Sequence, residues 1–229
     1  MRTMSYKSDF IEFMVRAGVL TFGDFTLKSG RKAPYFVNTG NYKSGSRIDK
    51  LGYFYAACIM ENIKAGKITE NIDALFGPAY KGIPLSVAAA ISLSRDFGKE
   101  VNFCFNRKEA KGHGEGGLIV GHSLSDGDSV VIIEDVITAG TAVREILPVL
   151  KSQADVKIAG LVISVDRMER GKSDKTAVSE IKEEFGIDTF PIVTVRDIID
   201  ELYNTEVDGK IVITEDIKEK IEEYIKTYC

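Results

Sequence analysis

Residues 130–142 read Val-Val-Ile-Ile-Glu-Asp-Val-Ile-Thr-Ala-Gly-Thr-Ala, and no other stretch of the chain restricts its fold as much. The run Val130 to Ile133 is apolar and β-branched throughout, which is the pattern of a strand buried on both faces of a parallel sheet. Two carboxylates, Glu134 and Asp135, stand at its C-terminal end. A small, hydroxyl-rich turn from Thr138 to Thr141 follows, and Val143, Ile146, Leu147 and Leu150 then recur at helical spacing. In open α/β sheets ligands bind beyond the carboxyl ends of the strands. A turn of small residues exposes backbone N–H groups, and the following helix N-terminus adds partial positive charge, so the segment offers an anion site. Acids beside an anion site suit a ligand carrying both hydroxyls and a phosphate, as a sugar phosphate does. An ordinary buried strand with a polar exit has the same pattern, and the stretch by itself leaves both readings open.

The rest of the chain narrows the class. Its 229 residues suffice for one domain with a sizeable core, and a net charge of −4 does not favour nucleic acid or an anionic membrane surface as partner. No apolar run approaches the roughly 18 residues of a membrane span. The N-terminus has no apolar signal core, so the expected location is cytoplasmic. Cys58, Cys104 and Cys229 are scattered without metal-ligand or CxxC spacing. Cys58 falls in an apolar helical stretch and Cys104 in a strand, where both read as core residues.

Taken in order, Ser8 is placed to cap a first helix that runs to about Ala17 and stops at Gly18. Residues 22–38 read as a β-hairpin whose Ser-Gly turn carries Lys28, Arg31 and Lys32 near its tip. A helix over 47–65 follows, then a strand over 72–76, the loop Gly77-Pro78-Ala79-Tyr80-Lys81-Gly82, and a helix to about Phe97. This second strand–loop–helix unit again has an anion-friendly loop, now with a lysine. Val101 to Phe105 is a strand. Residues 106–117 hold five charged residues and five that are Gly or Ala, too polar to pack, and read as a long mobile loop. Strands over 118–120, 156–165 and 190–193, and helices over 176–185, 195–203 and 215–228, complete the chain. The alternation predicts an α/β fold: a mostly parallel twisted sheet with helices on both faces, plus a small N-terminal helix and hairpin hood. One domain over 1–229 is expected, with 1–45 forming most of the hood.

Two motifs mislead. Gly112-His113-Gly114-Glu115-Gly116-Gly117 matches G-x-G-x-x-G, but a charged run precedes it and a β-like run follows, against the strand–turn–helix a dinucleotide site needs. Gly171-Lys172-Ser173 looks like the end of a phosphate-binding P-loop, but the first glycine would fall at Asp166. His122 reads as an ordinary surface residue.

Five segments, in order, resemble the orotate phosphoribosyltransferase family of type I phosphoribosyltransferases. They are Thr26 to Arg31, Phe76 to Pro84, Phe105 to Gly117, Glu134 to Ala142, and Asp166-Arg167-Met168-Glu169-Arg170. Chain length and the Ile221-to-Tyr228 tail are most similar to the fungal form. The resemblance implies transfer of the phosphoribosyl group of phosphoribosyl diphosphate (PRPP) to orotate, giving orotidine 5′-monophosphate and pyrophosphate in pyrimidine synthesis, with Mg²⁺ required. It implies that Val136, Ile137, Thr138, Ala139, Gly140, Thr141 and Ala142 cradle the ribose 5-phosphate, and that Glu134 and Asp135 hold the ribose hydroxyls. Tyr80 and Lys81 are implied to meet the pyrophosphate and Lys28, Arg107 and Lys108 to bind PRPP. Lys111 and His113 would close over the leaving group as catalytic residues. Arg167 would pair with the orotate carboxylate, while Phe36, Val37 and Thr138 line the pyrimidine. No protein metal ligand is implied, Mg²⁺ being carried mainly by PRPP. A homodimer is implied, its 106–117 loop reaching the neighbouring site.

Each role has a plainer counterpart in the residues. Lys28 and Arg31 suit a solvated hairpin tip, His113 a loop filler, and Arg167 a local ion pair with Asp166 or Glu169. Three departures from the family pattern stand out: Glu134 where Asp is more usual, Val37 where an aromatic residue is common, and Gly112 where an acid is common. A PRPP-sensing regulator on the same fold would be expected to carry a nucleic-acid element or a damaged loop. Here the charge is acidic, no helix-turn-helix is evident, and the loop sequence is intact.

Overall fold

The strand that dominates the sequence is also the middle of the molecule. In the computed structural model, which describes residues 5–27, 30–108, 118–137, 140–171 and 173–229, β6 (Ser129–Val136) is buried from Val130 to Asp135. It pairs in parallel with β3 (Ala74–Gly77) on one side and β7 (Lys157–Asp166) on the other. The sheet continues through β4 (Asn102–Asn106) to β5 (Ile119–Gly121) at one edge and to β8 (Thr189–Thr194) at the other, in the order β5-β4-β3-β6-β7-β8. Only β5 runs antiparallel.

Helices cover both faces, which is why β6 is apolar at successive positions. Val131 and Ile133 pack on the face shared with Leu51, Tyr55 and Ile59 of α2 (Gly45–Lys64) and with Leu85 and Leu93 of α3 (Gly82–Phe97). Val130 and Ile132 pack on the opposite face with Val143, Ile146, Leu147 and Leu150 of α4 (Thr141–Gln153), and with Ile181 of α5 (Ala177–Phe185). Cys58 and Cys104 are fully buried, one on each face.

Helix α1 (Tyr6–Arg16) packs into the core shared with α2, and the antiparallel hairpin of β1 (Leu20–Thr26) and β2 (Lys32–Val37) follows it. The hairpin is braced from behind by α7 (Glu215–Tyr228), whose Tyr224 ring meets Tyr35 edge-on at 5.9 Å. Between β8 and α7 come α6 (Val195–Leu202) and a two-stranded ribbon of β9 (Glu206–Val207) and β10 (Lys210–Ile211). The ribbon turns on Asp208 and Gly209, both at positive φ, as a primed hairpin turn requires.

Two expectations change. Ser5, not Ser8, caps α1: its hydroxyl accepts from Ser8 N at 3.3 Å, while the Ser8 hydroxyl donates to Glu201 instead. Segment 118–120 falls on a strand as expected. Strand β5 returns along β4, and Arg107 N bonds Leu118 O at 2.7 Å, so the long loop is closed at its base as a hairpin. His122 is not a free surface residue: it is half-buried, with Nε2 3.3 Å from Asp128.

Candidate active site

Glu134 and Asp135 sit where β6 reaches the C-terminal edge of the sheet, each less than a tenth exposed. Asp135 Oδ2 accepts from Lys81 Nζ at 2.8 Å and from Thr39 Oγ1 at 2.8 Å, and Oδ1 accepts from Val136 N at 2.7 Å. Burial pushes the Asp135 carboxyl up, but the hydrogen bonds from Lys81, Thr39 and the backbone outweigh it and hold the group below the ordinary carboxylate range. Glu134 has one local donor, Asp135 N at 3.0 Å. Burial, reinforced by the charge of Asp135, pushes its carboxyl up to about 7. Two adjacent acids are thus shifted in opposite directions, Glu134 upward by burial and Asp135 downward by the donors it reaches. The backbone beneath is braced from both flanks: Tyr55 OH donates to Glu134 O at 2.7 Å, and Ser164 Oγ to Asp135 O at 2.6 Å.

The turn after β6 is described at both ends, while Thr138 and Ala139 lie outside the described residues. Gly140 adopts φ +66° at the start of α4, and among the described residues no side chain caps that helix, so its first-turn N–H groups suit an external acceptor. Gly140 is also confined: a Cβ there would meet Arg144 Nη1 at 2.9 Å and Ile181 Cδ1 at 3.1 Å. Val136 and Ile137 are half-buried at the strand exit, and Thr141 and Ala142 are exposed on the first turn.

The second loop is folded against the same strand. A Cβ on Gly82 would lie 2.9 Å from Ile133 O, and one on Gly77 would collide with Gly82 O. Only glycines allow so close a return. Ala79 N is tied to Asn106 Oδ1 at 2.8 Å, and the Ala79–Tyr80 peptide is cis. Tyr80, on this loop, is 70% exposed, and Lys108 Nζ lies 5.2 Å above its ring. Lys81 reaches from it to both Asp135 and Thr39.

Of the remaining sequence-derived candidates, Lys28, Lys111 and His113 lie outside the described residues, and Arg107 N bonds Leu118 O where the segment holding Lys111 and His113 begins and ends. Phe36 is partly exposed and stacks on Phe25, while Val37 pairs with Leu20. Arg167 follows the end of β7, one strand from the acids, and its Nη2 lies 2.6 Å from Glu169 Oε1. The local pair is therefore present. Sequence offers no local reason to single out Thr39, Tyr55, Ser164 or Tyr224 for this site. Each acts through a partner distant in the chain, and none carries a local signal. Among the described residues no cluster of three His, Cys, Asp or Glu converges on a metal position. No helix there is long and apolar enough to cross a membrane.

Residues 41–198 match the family model of the phosphoribosyl transferase domain. An orotate phosphoribosyltransferase of Clostridium beijerinckii is 55% identical over 224 residues, 98% of each chain, and that of Clostridium acetobutylicum is 52% identical over 223 residues, 97% of each. The chain belongs to the orotate phosphoribosyltransferase family. A crystal structure of the orotate phosphoribosyltransferase of Francisella tularensis superposes with TM-score 0.80 at 37% identity, covering 96% of this chain and 98% of that one. Bacterial orotate phosphoribosyltransferases thus match the chain almost end to end, so its length is not confined to the fungal form. The fold is that of the type I phosphoribosyltransferases, with the parallel sheet and flanking helices expected from sequence.

Proposed function

We propose that this protein transfers the phosphoribosyl group of PRPP to orotate, forming orotidine 5′-monophosphate and pyrophosphate in pyrimidine synthesis. The observation that carries the reading is the contact of Lys81 with Asp135 and Thr39. It joins a loop suited to pyrophosphate to acids suited to ribose hydroxyls, beside the open N-terminus of α4.

In this reading the first turn of α4, with Thr138 to Ala142, holds the 5-phosphate, and Asp135 and Glu134 accept hydrogen bonds from the ribose hydroxyls. Lys81, Tyr80, Lys108 and Arg107 meet the pyrophosphate, and Lys28, Lys111 and His113 complete its enclosure. The bond from the anomeric carbon to the pyrophosphate oxygen breaks, its electron pair leaving with the pyrophosphate. The ring nitrogen of orotate then supplies the pair for the new C–N bond, and its proton passes to the departing pyrophosphate. No enzyme nucleophile is needed. The side chains act by fixing both reactants and by meeting charge on the departing group. Asp135, kept ionised by Lys81, also favours the cationic ribose. Mg²⁺, when bound with PRPP, offsets phosphate charge. Two carboxylates, one already engaged, fit a cation held mainly by substrate oxygens. Arg167, with the backbone near Phe36 and Val37, receives orotate. We further infer one domain with residues 1–45 as hood, a cytoplasmic location, and a homodimer in which the 106–117 loop serves the neighbouring site.

The test is purified protein with orotate, PRPP and Mg²⁺, followed at the orotate absorbance. Consumption is expected only when both substrates are present, and none at all would overturn the reading. Lys111→Ala is expected to lower turnover by orders of magnitude with the melting temperature kept, because its charge meets the transition state more than the ground state.

A further inference from the structure

We propose that Glu169 and Tyr224 are positioning residues that set the guanidinium plane of Arg167, which makes the C-terminal helix α7 part of base recognition. The proposal rests on the reading of Arg167 as the partner of the orotate carboxylate.

The three side chains form a closed triad. Arg167 Nη2 lies 2.6 Å from Glu169 Oε1, Tyr224 OH donates to the same oxygen at 2.6 Å, and Arg167 Nη2 also reaches Tyr224 OH at 3.5 Å. A planar group is oriented when both an edge and a face are constrained. The triad holds one edge, and the Tyr35 ring lies under the guanidinium with its centroid 5.2 Å from Cζ. The Arg167 and Glu169 side chains are 11% and 12% exposed, so the pair is largely shielded from water.

The local chain is shaped for this. The Met168 N–H bonds Asp166 Oδ1 at 2.7 Å, and Met168 adopts φ +58°, a conformation that a side chain of its size rarely takes. The resulting reversal sets Arg167 and Glu169 beside one another. Helix α7 is then locked to the same turn: Arg170 N bonds Tyr228 O at 2.8 Å, and Cys229 Sγ lies 3.6 Å from Arg167 O. Arg31 stacks over the Tyr228 ring at 5.0 Å and lies 4.0 Å from the free side of Glu169, which ties the hood to the turn.

Stability alone does not account for the arrangement. Arg167 Nε and Tyr35 OH are both buried and their side chains interact with each other, yet neither atom makes a hydrogen bond of ordinary geometry among the described residues. A guanidinium kept for structure is expected to have its buried donors satisfied. A paired, oriented guanidinium instead offers directional donors, which select a planar carboxylate over a diffuse anion.

The experiment is steady-state kinetics of Tyr224→Phe, Glu169→Gln, Glu169→Asp and Arg167→Ala, with orotate varied at saturating PRPP and the reverse, alongside thermal melting. Uracil, which lacks the carboxylate, is the comparison base. Tyr224→Phe and Glu169→Gln are expected to raise KM for orotate about 10-fold, the scale of a lost hydrogen bond to a charged group. Turnover and KM for PRPP should stay near the parent values. Glu169→Asp should recover part of the loss, and preference for orotate over uracil should fall in step with KM. An unchanged or lower orotate KM in Tyr224→Phe and Glu169→Gln, with Arg167→Ala strongly impaired, overturns the positioning role. Parallel loss in turnover, both KM values and melting temperature also overturns it, as a structural effect. An unchanged orotate KM in Arg167→Ala overturns the reading beneath it.

Discussion

Replacing Glu134 by Gln separates what this residue does for function from what it costs in stability. The carboxyl is buried and its folded-state pKa is raised to about 7, whereas an unfolded chain leaves it near 4.5. The folded state therefore binds the proton more tightly. That contributes stability fully present below pH ~4.5 and lost as pH rises through ~7, because above that the folded protein must hold a buried carboxylate. At about 1.4 kcal/mol per tenfold change in proton affinity, the whole difference is at most about 3.5 kcal/mol. The remaining solvent contact of the side chain reduces it to on the order of 1–3 kcal/mol. A chain of this size shifts its melting temperature by roughly 2–4 °C per kcal/mol. Glutamine has nearly the same shape and cannot ionise. Its own packing cost applies at every pH, so the difference between pH values is diagnostic. About three quarters of that change falls between pH 5 and pH 8, so the melting temperature of Glu134→Gln minus that of the parent should rise by roughly 2–9 °C across that range. Calorimetry without substrate measures this directly. A difference that stays flat, or falls toward pH 8, would refute the claim that Glu134 is a desolvated acid. The same substitution should reduce turnover, since the site keeps a costly acid for the ribose.

Three further outcomes follow from the geometry. Lys81→Met should lower stability by about 1–2 kcal/mol, because the lysine end is 67% exposed but the Asp135 carboxylate it leaves behind is buried, and should raise KM for PRPP at least about 10-fold; melting and kinetics on one sample separate the two. Tyr55→Phe removes the donor to Glu134 O in a fully buried setting and should cost about 1–3 kcal/mol in denaturant unfolding. Gly140→Ala forces a side chain into φ +66° against Arg144 and Ile181, and should cost on the order of 1–3 kcal/mol and weaken PRPP binding measured by calorimetry.

Sequence pattern carried the architecture far because the forces that write it are local and periodic. Val130 to Ile133 could only be a strand covered on both faces, and the spacing of Val143, Ile146, Leu147 and Leu150 could only present one helical face. Their packing on opposite sides of β6 follows from those periods. Boundaries were less legible. Two serines compete to cap α1, and the one whose hydroxyl lies three residues ahead of a free N–H prevails. The Asp208-Gly209 turn is short enough to vanish between two helices.

The residue types of the site were readable, but their partnerships were not. Nothing near Lys81 in the chain indicates that it reaches an acid 54 residues away, or that Thr39 shares that oxygen. The parallel crossovers decide this, by bringing the β3–α3 loop and the 3₁₀ turn Thr39–Asn41 over the end of β6. The same holds for charge. Sequence places Glu134 and Asp135 side by side as equals. Only the tertiary structure gives one of them a lysine and a threonine and leaves the other desolvated, because lateral contacts and burial are properties of packing and not of chain order.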